Sequence, residues 1–122
     1  MKTIKMKNFV SNIIKHIQNR LERRKAMKIQ KKYRSQNPKP TTFRMWEHNG
    51  WGDKIAIRSI NTKHCIIHIV GWLPKRPQNG DVLIYQVEKG RYAKGVIYNV
   101  ELLTNPHDMF FADVKPIEEI NL

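Results

Sequence analysis

Acid is nearly missing from the first third of this chain. Residues 1–40 hold thirteen Lys or Arg against one acid, Glu22, a net of +12, whereas residues 41–122 hold ten basic and nine acidic residues, a net of +1. The same forty residues have no glycine, and no proline before Pro38. Such a segment has nothing to break a helix and almost nothing to neutralise its own charge. The lone Cys65 excludes an intramolecular disulfide framework and suits a reducing compartment. No apolar run approaches the roughly 18 residues of a bilayer span. Residues 1–7 are basic like the start of a signal peptide, but residues 8–15 are too short and too soon charged for its apolar core. The expectation is a chain that is cytoplasmic, in an intracellular host, or packed inside a virion, and that is not secreted.

What is present in the first forty residues is a helical arm, predicted over residues 6–33. At helical spacing Met6, Val10, Ile13, Ile14, Ile17 and Leu21 share one face, with Phe9 at its margin. Phe9, Val10, Ile13, Ile14, Ile17 and Leu21 are therefore candidates for packing on a partner. Beyond Leu21 the stripe stops. Arg24, Lys25 and Lys28 take the next apolar positions, while Ala26, Met27, Ile29 and Tyr33 scatter round the helix. This second half reads as a rod charged on most sides, with Arg20, Arg23, Arg24, Lys25, Lys28, Lys31, Lys32 and Arg34 as candidate phosphate contacts. An anionic membrane surface is the competing polyanion, since a basic amphipathic helix fits one. Against it, the stripe has no Trp, and the densest charge lies beyond the stripe and not opposite it.

Residues 35–42, with Pro38 and Pro40, read as a linker that ends the helix. After it the hydrophobic period shortens to two. Candidate strands fall at 43–47, 54–60, 64–73, 82–87, 92–103 and 109–115, with turns between them. The expected architecture is α+β: a long basic N-terminal helix in residues 1–40, then a small antiparallel β-barrel of five to six strands in residues 41–122. SH3-like, OB-like and PUA-like barrels all fit that spacing. The run Pro77-Gln78-Asn79-Gly80-Asp81 is similar to the turn that leads into a strand in many small barrels.

No constellation of catalytic residues stands out. His64, Cys65 and His68 are close in sequence, but on one strand Cys65 would face away from the histidines, so no metal site is expected. Cys65 in an apolar run reads as buried and inert. No nucleophile elbow and no Gly-rich phosphate loop before a helix is present. An enzyme is not expected, nor a cofactor. Trp51, between Gly50 and Gly52, is either a stacking platform or a lid folded back over the barrel. Lys75 and Arg76 add two bases on a loop, completing the candidate nucleic-acid set.

These features favour a nonenzymatic nucleic-acid-associated protein, RNA or DNA, held without sequence preference by the arm while the barrel engages a partner. The alternative is a structural or accessory subunit of a larger assembly, a phage virion or ribonucleoprotein, whose apolar stripe packs on neighbouring subunits.

Overall fold

The computed structural model describes residues 20–121. Of the partner-packing candidates, Phe9, Val10, Ile13, Ile14 and Ile17 lie outside the described residues. The described chain is α+β. One helix, α1 (Arg20–Tyr33), precedes β1 (Thr42–Arg44), a 3-10 turn (Met45–Glu47), β2 (Asn49–Gly50), β3 (Asp53–Asn61), β4 (Ile66–Trp72), β5 (Val82–Glu88), β6 (Arg91–Leu102) and β7 (Met109–Ile120).

All seven strands form one sheet in the order β1-β5-β6-β7-β4-β3-β2. Its first and last members are neighbours in sequence, separated by the 3-10 turn and His48. Residues 42–50 thus pair with β5 at one end and with β3 at the other, which curls the sheet into a half-barrel. The ring centroids of Phe43 and His48 are 5.9 Å apart at this junction, and Ile55 donates its backbone N–H to the His48 carbonyl at 3.0 Å. Register shifts in the β3–β4, β5–β6 and β6–β7 ladders add twist and assist the curl.

The expected sheet was antiparallel with five or six strands; the observed one is mixed with seven. The additional strand is the two-residue β2, too short for an alternating pattern to register. The mixed character comes from β1, which runs parallel to β5. Its direction is set by a buried carboxylate. Asp81, at the start of β5, accepts hydrogen bonds from the Asn37 side chain (2.7 Å), the Thr41 N–H (2.9 Å) and the Gln78 N–H (2.8 Å). Thr41 is thereby held beside Val82, whose N–H it accepts at 2.9 Å, and the two strands leave that point side by side. Gly80 sits in this knot at φ +94°, where a Cβ would lie 3.0 Å from that of Tyr33.

Inside the curl, Ile55, Ile67, Ile69, Leu83, Tyr85, Ile97, Phe110 and Val114 make the main core. The predicted strand at 64–73 begins later, at Ile66. His64 and Cys65 belong to the preceding turn, with Cys65 at φ +55° and its side chain in the core. A break also occurs in β6, where Asn99 adopts φ +51° at a shift between Tyr98 and Glu101. That bulge breaks the alternation of faces along β6. Val96 lies outside under α1, while Val100 packs on the inner core.

Candidate nucleic-acid interface

Helix α1 is not a free rod. At about 3.6 residues per turn, Glu22, Ala26, Ile29 and Tyr33 fall on one side. Ala26 and Ile29 pack on Val96 and Ile117 on the outside of the sheet. Of the residues that looked scattered in sequence, Ala26, Ile29 and Tyr33 share the docking side with Glu22, while Met27, 43% exposed, lies outside it. Glu22 meets Lys115 on β7, Nζ to Oε2 2.5 Å, with side-chain exposures of 13% and 5%. Lys115 also donates to the His64 carbonyl. Burial pushes the Glu22 carboxyl up, but the hydrogen bonds from Lys115 and Lys25 outweigh it and hold the group below the usual glutamate value.

Docking through that face turns the opposite one outward. Arg20, Arg24 and Lys31 lie on the outward side, flanked by Lys28, and all are exposed; Arg34, just past the end of α1, is exposed in a hollow with Pro38, Pro40 and Gly80. Among the described residues Arg24, Lys28, Lys31 and Arg34 form no ion pair. Arg20, Arg24, Lys28 and Lys31 line a shallow groove with Met27. The remaining candidates are engaged within the chain. Arg23 pairs with Glu118 at 3.6 Å, Lys25 with Glu22 at 3.2 Å, and the Lys32 ammonium lies 5.3 Å from the Tyr33 ring centre. Leu21, the described member of the apolar stripe, is 59% exposed.

The barrel candidates separate from one another. Trp51 occupies the tip of the β2–β3 hairpin and is fully exposed, so it is not a lid on the core. Gly52 beside it has φ +71°, as the second central position of a tight turn demands. Arg76 is spent internally, its guanidinium donating to the Leu103 carbonyl at 2.6 Å. Lys75 is exposed on the same loop. That loop is tied to the 103–109 turn, because Leu73 donates its N–H to the Asp108 carbonyl at 2.9 Å.

Sequence reading missed what Trp51 faces. A cleft of about 480 Å³ is lined by Gly50, Trp51, Gly52, Lys54, Trp72 and Asp108. Trp72 reaches it from the end of β4, paired in register with Lys54 on one side and Met109 on the other. The local signal was a second Gly-Trp pair, Gly71-Trp72, but only the sheet order brings the two tryptophans together. Below the cleft on the same outer face, the Arg58 guanidinium lies 5.0 Å from the Phe111 ring centre. One step further, Asp113 binds His68 Nδ1 at 2.6 Å and the Asn99 side chain at 3.1 Å.

The histidines do not converge. His48 is held by Asp53 and His68 by Asp113, and among the described residues no cluster of three or more metal-ligating side chains occurs. Cys65 is buried, and that burial pushes its thiol up to about 11. No helix among the described residues is long and apolar enough to cross a membrane. No protein-family model, no curated protein sequence and no solved structure matches the chain.

Proposed function

We propose that this chain is a nonenzymatic nucleic-acid-associated protein whose helix α1 lies on the phosphate backbone while the half-barrel sets its orientation. The observation that carries the reading is the division of α1 into two faces. Glu22, Ala26 and Ile29 face the sheet, and Arg20, Arg24, Lys28 and Lys31 face away from it. A helix that docks by its only acid and its small apolar residues presents a row of cations with no acid among them. Phosphates relieve the repulsion within that row and release their condensed counterions. Contacts of this kind position a protein without reading sequence, so RNA and DNA are both ligands of the arm.

The test is a titration of labelled duplex DNA and duplex RNA with the full chain at several salt concentrations. The expected result is a linear fall of log affinity with log salt, of roughly 10³–10⁵-fold between about 50 and 200 mM if about six to ten charges meet phosphate. Retention on DNA, RNA and heparin that ignores salt would overturn the reading.

A further inference from the structure

We propose that the cleft between Trp51 and Trp72 receives an unpaired nucleobase, so that the half-barrel engages single-stranded nucleic acid with its phosphates outside the cleft. This rests on reading the chain as a nucleic-acid binder, and adds a second site that discriminates strand state where α1 does not.

Trp51 carries the argument first. It is 104% exposed at the tip of a two-residue hairpin, so it contributes no packing to the fold. A Cβ at either flanking glycine would meet nothing within 4 Å, so the hairpin tip on which Trp51 sits projects into open space. Across the cleft Trp72 is half-buried and fixed by its pairing on both sides within the sheet. One solvent-exposed ring and one anchored ring bounding a cavity suit a flat, uncharged guest, and every nucleobase offers a face for stacking.

The charges around the cleft say which part of a nucleotide enters. Asp108 lines it, and among the described residues its carboxylate makes no hydrogen bond or ion pair. A carboxylate there repels phosphate and accepts an N–H. Every base exposes at least one N–H donor on its Watson–Crick edge when unpaired, and in a duplex that donor is already used. Lys54 sits at the rim, exposed and without an ion pair among the described residues, where a phosphate flanking the bound base would meet it. The same outer face continues along β7 past the Arg58–Phe111 stack to Lys115 beneath α1, six residues from Met109 and so about 20 Å.

The experiment is fluorescence anisotropy of full-length protein with a labelled single strand of about 12 nucleotides, as RNA and as DNA, beside the corresponding duplex. Trp51→Ala should weaken single-strand binding about tenfold and duplex binding less than about twofold, while Trp51→Phe, which keeps a stacking face, stays within about threefold of the parent. Far-UV circular dichroism and thermal melting of the variant should match the parent, because Trp51 buries nothing. A Trp51→Ala protein that binds single strands as tightly as the parent overturns the cleft proposal and leaves the phosphate-binding helix standing; Trp51 then serves a protein partner. Equal losses on single strand and duplex also overturn it. Binding to no nucleic acid at all sinks both readings together.

Discussion

Glu22, the single acid in the first forty residues, lies 2.5 Å from the ammonium of Lys115, ninety-three positions later and 5% exposed. The pair joins helix to sheet on the side of α1 that also carries Ala26, which packs on Val96 and Ile117. It determines which face of α1 is hidden and therefore which cations are presented.

Removing one partner of that pair leaves the other charge buried. Glu22→Ala is expected to cost about 3 kcal/mol in urea unfolding, more than any exposed ion pair of the chain. Replacing both partners, Glu22→Leu with Lys115→Met, should recover much of that loss. A Glu22→Ala protein as stable as the parent would show that α1 docks without the pair.

The same carboxyl gives a pH dependence. Its value is lowered on folding, against the opposing effect of burial, by hydrogen bonds from Lys115 and Lys25. The unfolded chain therefore binds the proton more readily. The stabilisation is complete above the ordinary glutamate range and drains away as pH falls from that range through the lowered folded value. Glu22→Gln should lack this part of the acid limb in unfolding titrations followed by circular dichroism.

Cations on the outward stripe are expected to act on affinity and not on fold. Replacing Arg24, Lys28 and Lys31 with Gln should lower the slope of log affinity against log salt by about 3, one unit for each phosphate no longer neutralised. The melting temperature should change little, since all three are exposed and none is ion-paired among the described residues. Arg76→Gln is the contrast. Its guanidinium holds the Leu103 carbonyl, so stability should fall while the salt slope holds.

Asp81 gathers three donors, from Asn37, Thr41 and Gln78, at 2.7–2.9 Å while itself 4% exposed. Asp81→Ala strands all three and should destabilise by about 3 kcal/mol. Amide exchange should rise at Thr41 and Val82, where β1 meets β5. Exchange unchanged there would mean that the linker is held by its prolines alone.

Two buried side chains make opposite predictions. The Cys65 thiol, pushed up to about 11 by burial, should resist iodoacetamide at neutral pH and react on unfolding. The Tyr85 hydroxyl is fully buried with no hydrogen-bond partner among the described residues. Tyr85→Phe should therefore stabilise the protein by about 1 kcal/mol in thermal melts.

Much of the fold was legible because it is local. The strands at Val82–Glu88 and Arg91–Leu102 and the turn between them announce themselves through alternation and a Lys89-Gly90 dipeptide. What escaped was whatever depended on partners far away in sequence. The two-residue β2 exists because β3 folds back onto it, and β1 runs parallel to β5 because Asp81 seizes Thr41. The bulge at Asn99 shifted the faces of β6, and no alternation pattern can announce a residue that breaks it.

The sequence by itself determined that charge is segregated and that a helix precedes a small curled sheet. These follow from composition and from periods of two and 3.6, which chain geometry imposes on neighbours. Only the tertiary structure decided that α1 has a docked face and a presented one, that Arg76 is structural, and that Trp51 shares a cleft with Trp72. Each of those depends on which strands lie side by side. That order is set by burial and by a few long-range bonds such as Thr41–Asp81, and no local pattern along the chain encodes it.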